Sequence, residues 1–170
     1  MPTGLKSTSA NIAISFSLQE SAPNTFTQGG IDLQLNPLDQ EVFVVTAINL
    51  DPTAPDALAA TNTSTHVSLT TTSQTAVRNI STNACLATAR SDIRAAGFVD
   101  GGVGFTRSSN DTPDTNLEYI GIIATNDFFA QIQGSNNLAP QFLSGRMFGY
   151  RAKASSAIYA ALVQSEVLSS

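Results

Sequence analysis

From Asn11 to Gln19 apolar and polar side chains alternate without a break, with Ile12, Ile14, Phe16 and Leu18 on one side and Ala13, Ser15, Ser17 and Gln19 on the other. A helix repeats every 3.6 residues and cannot sort this stretch into two clean faces, so it reads as a half-buried β-strand. The same period returns at Ile31, Leu33 and Leu35, between Gly29-Gly30 and the break at Asn36-Pro37. It returns again from His66 to Thr72, with Val67 and Leu69 inward. Glu41 to Leu50 differs, because Val42-Phe43-Val44-Val45 is apolar on both faces. That is the pattern of a central strand covered on each side.

Further along, strands are expected around Ala76–Ile80, at Leu117–Ala124 and Phe128–Gln133 joined as a hairpin by Thr125-Asn126-Asp127, and at Arg146–Ala154. Asp100-Gly101-Gly102 signals a tight turn between short strands in Phe98–Phe105. Polar, Pro-containing or Asn-rich stretches mark loops at Asp51–Thr65, Thr106–Asn116 and Gly134–Pro140. Two segments read as helices. Ser81 or Thr82 caps the first, in which Leu86, Ala89, Arg90 and Ile93 share a face and Gly97 closes the end. Ser155 or Ser156 caps a short final one through Ile158, Leu162 and Val163, a segment that reads equally well as a strand. Eight or nine strands, one or two short helices and no internal repeat define a mainly β chain. The expected architecture is one domain over residues 1–170, an antiparallel β-sandwich or jelly-roll-like barrel.

Composition narrows what such a domain does. Charged residues are 12% of the 170, against 42% hydrophobic, so the polar surface must be built from Ser, Thr and Asn. Hydroxyls and amides are pressed against a neighbour at lower desolvation cost than charges. Such a surface suits contact between subunits, although turn and strand preferences alone also favour these residues. A net charge of −5 with eight basic residues argues against specific nucleic-acid binding, which needs clustered Lys and Arg. Arg146, Arg151 and Lys153 do gather near the C-terminus, and with Tyr150 they are the candidate inter-subunit contacts. No apolar run reaches the length of a membrane-spanning helix, and the first residues lack the pattern of a signal peptide.

The sequence offers little for catalysis, and no enzymatic activity is expected. His66 is the sole histidine, it lies opposite the inward Val67 and Leu69, and no Gly-x-Ser-x-Gly elbow accompanies it. Zinc needs several His or Cys ligands, whereas this chain has His66 and Cys85 far apart, and Cys85 reads as a small buried apolar residue. Calcium finds oxygen donors in Asn110, Asp111 and Asp114, or in Asp51 and Asp56, but neither set has the ordered spacing of an EF-hand loop. Solvated turns account for both, so no metal and no cofactor is expected. Gly101-Gly102-Val103-Gly104 lacks the Lys-Ser/Thr of a phosphate-binding loop and reads as a turn. Paired carboxylates could hydrolyse glycosides, but such clefts are aromatic-lined and the chain has no Trp.

With Ile12 to Leu18, Val42 to Ile48 and the Ile120/Phe128 hairpin as sheet strands between long Ser/Thr/Asn loops, the chain resembles small viral coat proteins built on a single β-barrel. The resemblance implies a capsid or other virion subunit that self-assembles through edges, loops and termini, with residues 1–10 and 155–170 as contact segments. Its partners would be copies of itself and other structural subunits. Unlike many coat proteins that package RNA, the chain has no basic N-terminal arm, which favours an outer shell over direct genome contact. The alternative is an extracellular or cell-surface binding module for glycan or calcium.

Overall fold

The computed structural model describes residues 3–95, 105–110 and 117–169. Ten strands and one helix follow in the order β1 (Leu5–Ser7), β2 (Ile12–Gln19), β3 (Thr27–Asp32), β4 (Glu41–Pro52), β5 (Thr63–Thr70), β6 (Cys85–Arg94), β7 (Phe105–Asn110), β8 (Gly121–Ile123), β9 (Asp127–Ser135), β10 (Phe142–Ala154) and α1 (Ser156–Ser169). All pairings are antiparallel. One sheet runs β8–β4–β10, with β1 and β2 in line along the far side of β10; the other runs β3–β9–β5–β6–β7. The expected mainly β sandwich is therefore the fold, with one sheet curled into a half-barrel.

The core lies between the sheets, where Phe43, Val45, Leu143 and Met147 meet Val67, Leu69, Phe128 and Ile132. Ile14, Phe16 and Leu18 of β2 pack against it on the side that the alternation assigns them. Val42 and Val44 point the other way and form a second cluster with Leu5, Ala152 and Ala154, covered by Ile158, Tyr159, Leu162 and Val163 of α1. The two apolar faces of β4 thus have two different covers, one a sheet and one a helix. A bulge in the β4–β10 ladder between Phe148 and Gly149 separates this half of the sheet from the half beyond it.

The outer face of the second sheet is covered differently. Gln131 of β9 is fully buried there; Ser68 Oγ donates to its Oε1 (2.7 Å), and its Nε2 donates to Thr70 Oγ1 (2.7 Å) and Gln28 Oε1 (3.0 Å). The Arg78 N–H donates to Ser68 Oγ (3.1 Å) and the Gln74 N–H to Gln28 Oε1 (2.7 Å), so the chain after β5 folds back as a polar cover.

Leu33 and Leu35 follow β3, the expected 51–65 loop yields its ends to β4 and β5, and the expected 117–124 strand narrows to Gly121–Ile123; four larger expectations also need correction. Residues 85–94 form a strand and not a helix: Ala87 and Ala89 enter the core opposite Leu69 and Val67, and β5 and β7 bond β6 on both sides. Alanines satisfy either period, so the available partners decide. Residues 76–80 form no strand, because they belong to the polar cover. Of the expected 106–116 loop, 106–110 belongs to β7. Finally, β8 and β9 are not a hairpin: β8 pairs with β4 and β9 with β3 and β5, so Thr125-Asn126 passes between sheets. The expected turn at Asp100-Gly101-Gly102, the helix end at Gly97, and Asp111 and Asp114 lie outside the described residues.

Candidate functional site

Helix α1 covers only one half of the outer face of the first sheet. On the other half the outward residues form rows across β2, β10 and β4: Ser17–Ser144–Asp51, Ser15–Arg146–Asn49 and Ala13–Phe148–Ala47. Arg146 Nε donates to Ser15 Oγ (3.2 Å). Ser15, Asn49, Asp51, Ser144 and Arg146 line an open groove of about 380 Å³ on this face. Its two charges have opposite sign, Ser15, Ser144 and Asn49 add hydroxyls and an amide, and Phe16 and Gly145 complete the lining. Such a face hydrogen-bonds in both senses and carries little charge to desolvate.

The sheet ends at β2, whose eight residues carry no charge, no proline and no break in register with β10. Ile14, Phe16 and Leu18 remain only partly buried, and among the described residues no strand pairs beyond them.

The four residues singled out as contacts do not act as one patch. Arg146 stands on the open face just described. Tyr150 packs against the α1 cluster and borders a second groove, of about 420 Å³, with Ser7, Ser9, Asn11 and Glu118. Arg151 turns to the opposite face of β10 and binds within the molecule: Nη2 donates to the Leu33 carbonyl (2.7 Å), Nη1 to that of Gln34 (3.1 Å), and Glu41 Oε1 lies 3.4 Å away. It holds the turn in which Gln34 has φ 53°. Lys153 is exposed.

The candidate chemical groups are engaged in holding the fold. His66 Nε2 lies 3.2 Å from Thr88 Oγ1, and that hydroxyl donates its proton to the Val67 carbonyl (2.9 Å). The pair ties the imidazole of β5 to the hydroxyl of β6, with the donor set by the tautomer of the ring. Burial, then the charge of Arg90, hold the His66 pKa below 6.5, while Asp92 opposes them. Both oxygens of Asp92 accept from Arg90 Nε, at 2.9 Å each. Cys85 Sγ lies 3.4 Å from the Ala87 carbonyl, at the irregular end of the β5–β6 ladder.

Asp51 lines the groove on the open face, whereas Asp56 is bonded to the 136–141 loop. Asp56 Oδ2 accepts from the N–H groups of Leu138 (2.7 Å) and Ala139 (3.1 Å), and its own N–H donates to Asn137 Oδ1 (2.9 Å). Among the described residues no group of three or more His, Cys, Asp or Glu is placed to hold a metal ion. No described helix is long and apolar enough to cross a membrane.

Sequence reasoning overlooked three buried carboxylates, Asp92 and two others. Glu20 accepts from the N–H groups of Gly134 and Gln141, the latter at 2.9 Å, and ties the end of β2 to β9 and to the 136–141 loop. Glu166 accepts from Ala124 N–H (2.7 Å) and Thr125 N–H (3.0 Å), where the chain crosses between sheets. A signal for Glu166 was present: it falls four residues after Leu162 and three after Val163, on the apolar stripe of α1. Beside it, Leu35, Pro37, Tyr159 and Val163 line an apolar groove of about 300 Å³.

No protein-family model matches the chain, and no curated protein sequence is significantly similar to it. The class defined by the fold is a two-sheet antiparallel β-sandwich with a helix closing half of one outer face.

Proposed function

We propose that this chain is a structural subunit that packs against copies of itself in a shell or lattice, as the subunits of a virion do. One observation carries the reading: the open half-face of the first sheet is extended and regular, and only Asp51 and Arg146 among its outward residues bear charge. A face of this kind loses little hydration energy on contact, and the rows of Ser and Asn offer matched donors and acceptors to a neighbour. Many modest contacts of this sort add up in a closed assembly, where each subunit is held at several edges. Other structural subunits are accommodated on the same terms.

Size-exclusion chromatography with light scattering over a range of concentration and salt tests the reading. It expects species heavier than the 17.8 kDa monomer that grow with concentration. A strict monomer throughout removes it. The groove around Arg146 supports a second reading, an extracellular module for a glycan. That reading expects a monomer whose melting temperature rises saturably with a carbohydrate and loses the effect in Arg146→Ala.

A further inference from the structure

We infer that the outer edge of β2, with which no described strand pairs, is a pairing site for β2 of a second copy, in an antiparallel two-fold register with Phe16 facing Phe16 across the axis. The inference rests on the self-association proposed above and names its contact. The direction of the main-chain groups comes first. Arg151 turns both its N–H, to Ser9 Oγ (2.9 Å), and its carbonyl, to Thr8 N–H (2.9 Å), toward the N-terminal strands. The carbonyl of Gln141 likewise accepts from Glu20 N–H (3.0 Å), whereas those of Phe142 and Gln40 bridge β10 and the β4 side, to Thr53 N–H (2.9 Å) and from Ala154 N–H (3.0 Å). Odd residues of β10 therefore bond toward β2 and even ones toward β4, as antiparallel ladders require.

Read through the register Leu143–Leu18, Gly145–Phe16, Met147–Ile14 and Gly149–Ile12, the residues of β2 that bond to β10 are the apolar ones. Ala13, Ser15, Ser17 and Gln19 turn their N–H and carbonyl groups to the outer edge. Among the described residues no strand pairs with that edge. Proteins ordinarily protect such an edge with charge, proline or a bulge, and this one has none of the three.

The occupant follows from self-complementarity. Under a two-fold axis at Phe16, Ala13 meets Gln19 of the copy and Ser15 meets Ser17, so all four outward residues on each strand are paired. A slip by two residues leaves either Gln19 or Ala13 without a partner in the strand. In the same register Ile14 lies against Leu18 of the copy, and the half-covered apolar row of each edge gains the flank it lacks. No like charges face each other along the strand. A single edge of eight residues is a short contact beside a standard interface of roughly 800 Å² per partner, so the pair gains strength through repetition.

Sedimentation equilibrium of the full chain tests the pairing, with far-UV circular dichroism and thermal melting to establish that each variant is folded. Ser17→Pro removes an outward N–H and no bond to β10, and prolines are tolerated at such positions. It is expected to weaken self-association at least tenfold. Ser15→Glu with Ser17→Glu places like charges opposite each other and is expected to do the same, whereas Ser15→Glu with Ser17→Lys restores association because residue 15 faces residue 17 of the copy. Wild-type association that persists in both folded blocking variants overturns the edge pairing and leaves the structural reading standing. A wild type that never associates overturns both. If Ser17→Pro fails to fold, the charge pair decides.

Discussion

Glu166 Oε1 accepts the main-chain N–H of Ala124 at 2.7 Å, so a carboxylate in the last turns of α1 fastens the helix to the chain as it leaves β8 for the second sheet. The adjoining Thr125 N–H donates to the other oxygen at 3.0 Å. Glu166→Ala leaves two donors without their partner, and a buried donor left unmade costs about 1–3 kcal/mol. Urea denaturation is expected to show a loss of that size.

The same residue carries a pH signature. Burial raises the Glu166 pKa above 4.5, outweighing the hydrogen bonds from Ala124 and Thr125. The folded chain therefore binds this proton more readily than the unfolded chain. Stability from this group is fully present below the unfolded value and is lost as the pH rises through the raised native one. The stability of the wild type relative to Glu166→Gln is expected to grow as the pH is lowered from neutral to about 4, measured by denaturation at each pH.

His66 works in the opposite direction. Its pKa is held below 6.5 by burial and by Arg90, so the unfolded chain takes up the proton first and stability falls as the pH drops below that value. His66→Gln keeps a polar partner for Thr88 and removes the titration. Denaturation between pH 5 and 7 is expected to show a smaller acid loss in the variant, and NMR titration should place the native His66 pKa below that of the unfolded chain.

Gly149 sits at the bulge where the helix-covered half of the first sheet gives way to the open half. A Cβ there would overlap the Val44 carbonyl oxygen and stand 3.0 Å from the tip of the Phe43 ring. Backbone cannot yield as a flexible side chain does, so Gly149→Ala is expected to cost at least the 1–3 kcal/mol typical of overpacking. Thermal melting checks it.

Phe128 is fully buried and meets Phe16 edge to face, with ring centroids 5.7 Å apart, joining β2 to the second sheet. Phe128→Ala is expected to cost about 3–5 kcal/mol in chemical denaturation. The loss should be larger than that from Phe142→Ala, whose side chain is exposed.

Where the local pattern and the final environment agree, the sequence is legible. β2 and β5 show period two because one face of each looks into the core, and the doubly apolar Val42–Val45 has both its covers. The pattern fails where small side chains fit two periods, as Ala87 and Ala89 do in β6. It also fails where the partner is distant: nothing near Thr125-Asn126 indicates that β8 and β9 join different sheets. The candidate surface was only partly legible. Ser15 and Ser17 were assigned to the outward side of their strand, but their alignment with Arg146 and Asn49 depends on the pairing of β2, β10 and β4. Arg151 was grouped with Arg146 by proximity in sequence, whereas strand alternation sends the two to opposite faces of β10.

Electron microscopy of the purified chain, concentrated at moderate salt, tests the self-association most directly. The account predicts closed particles or ordered arrays with a repeat set by subunit contacts. Fields of dispersed single molecules at every concentration and salt would contradict it.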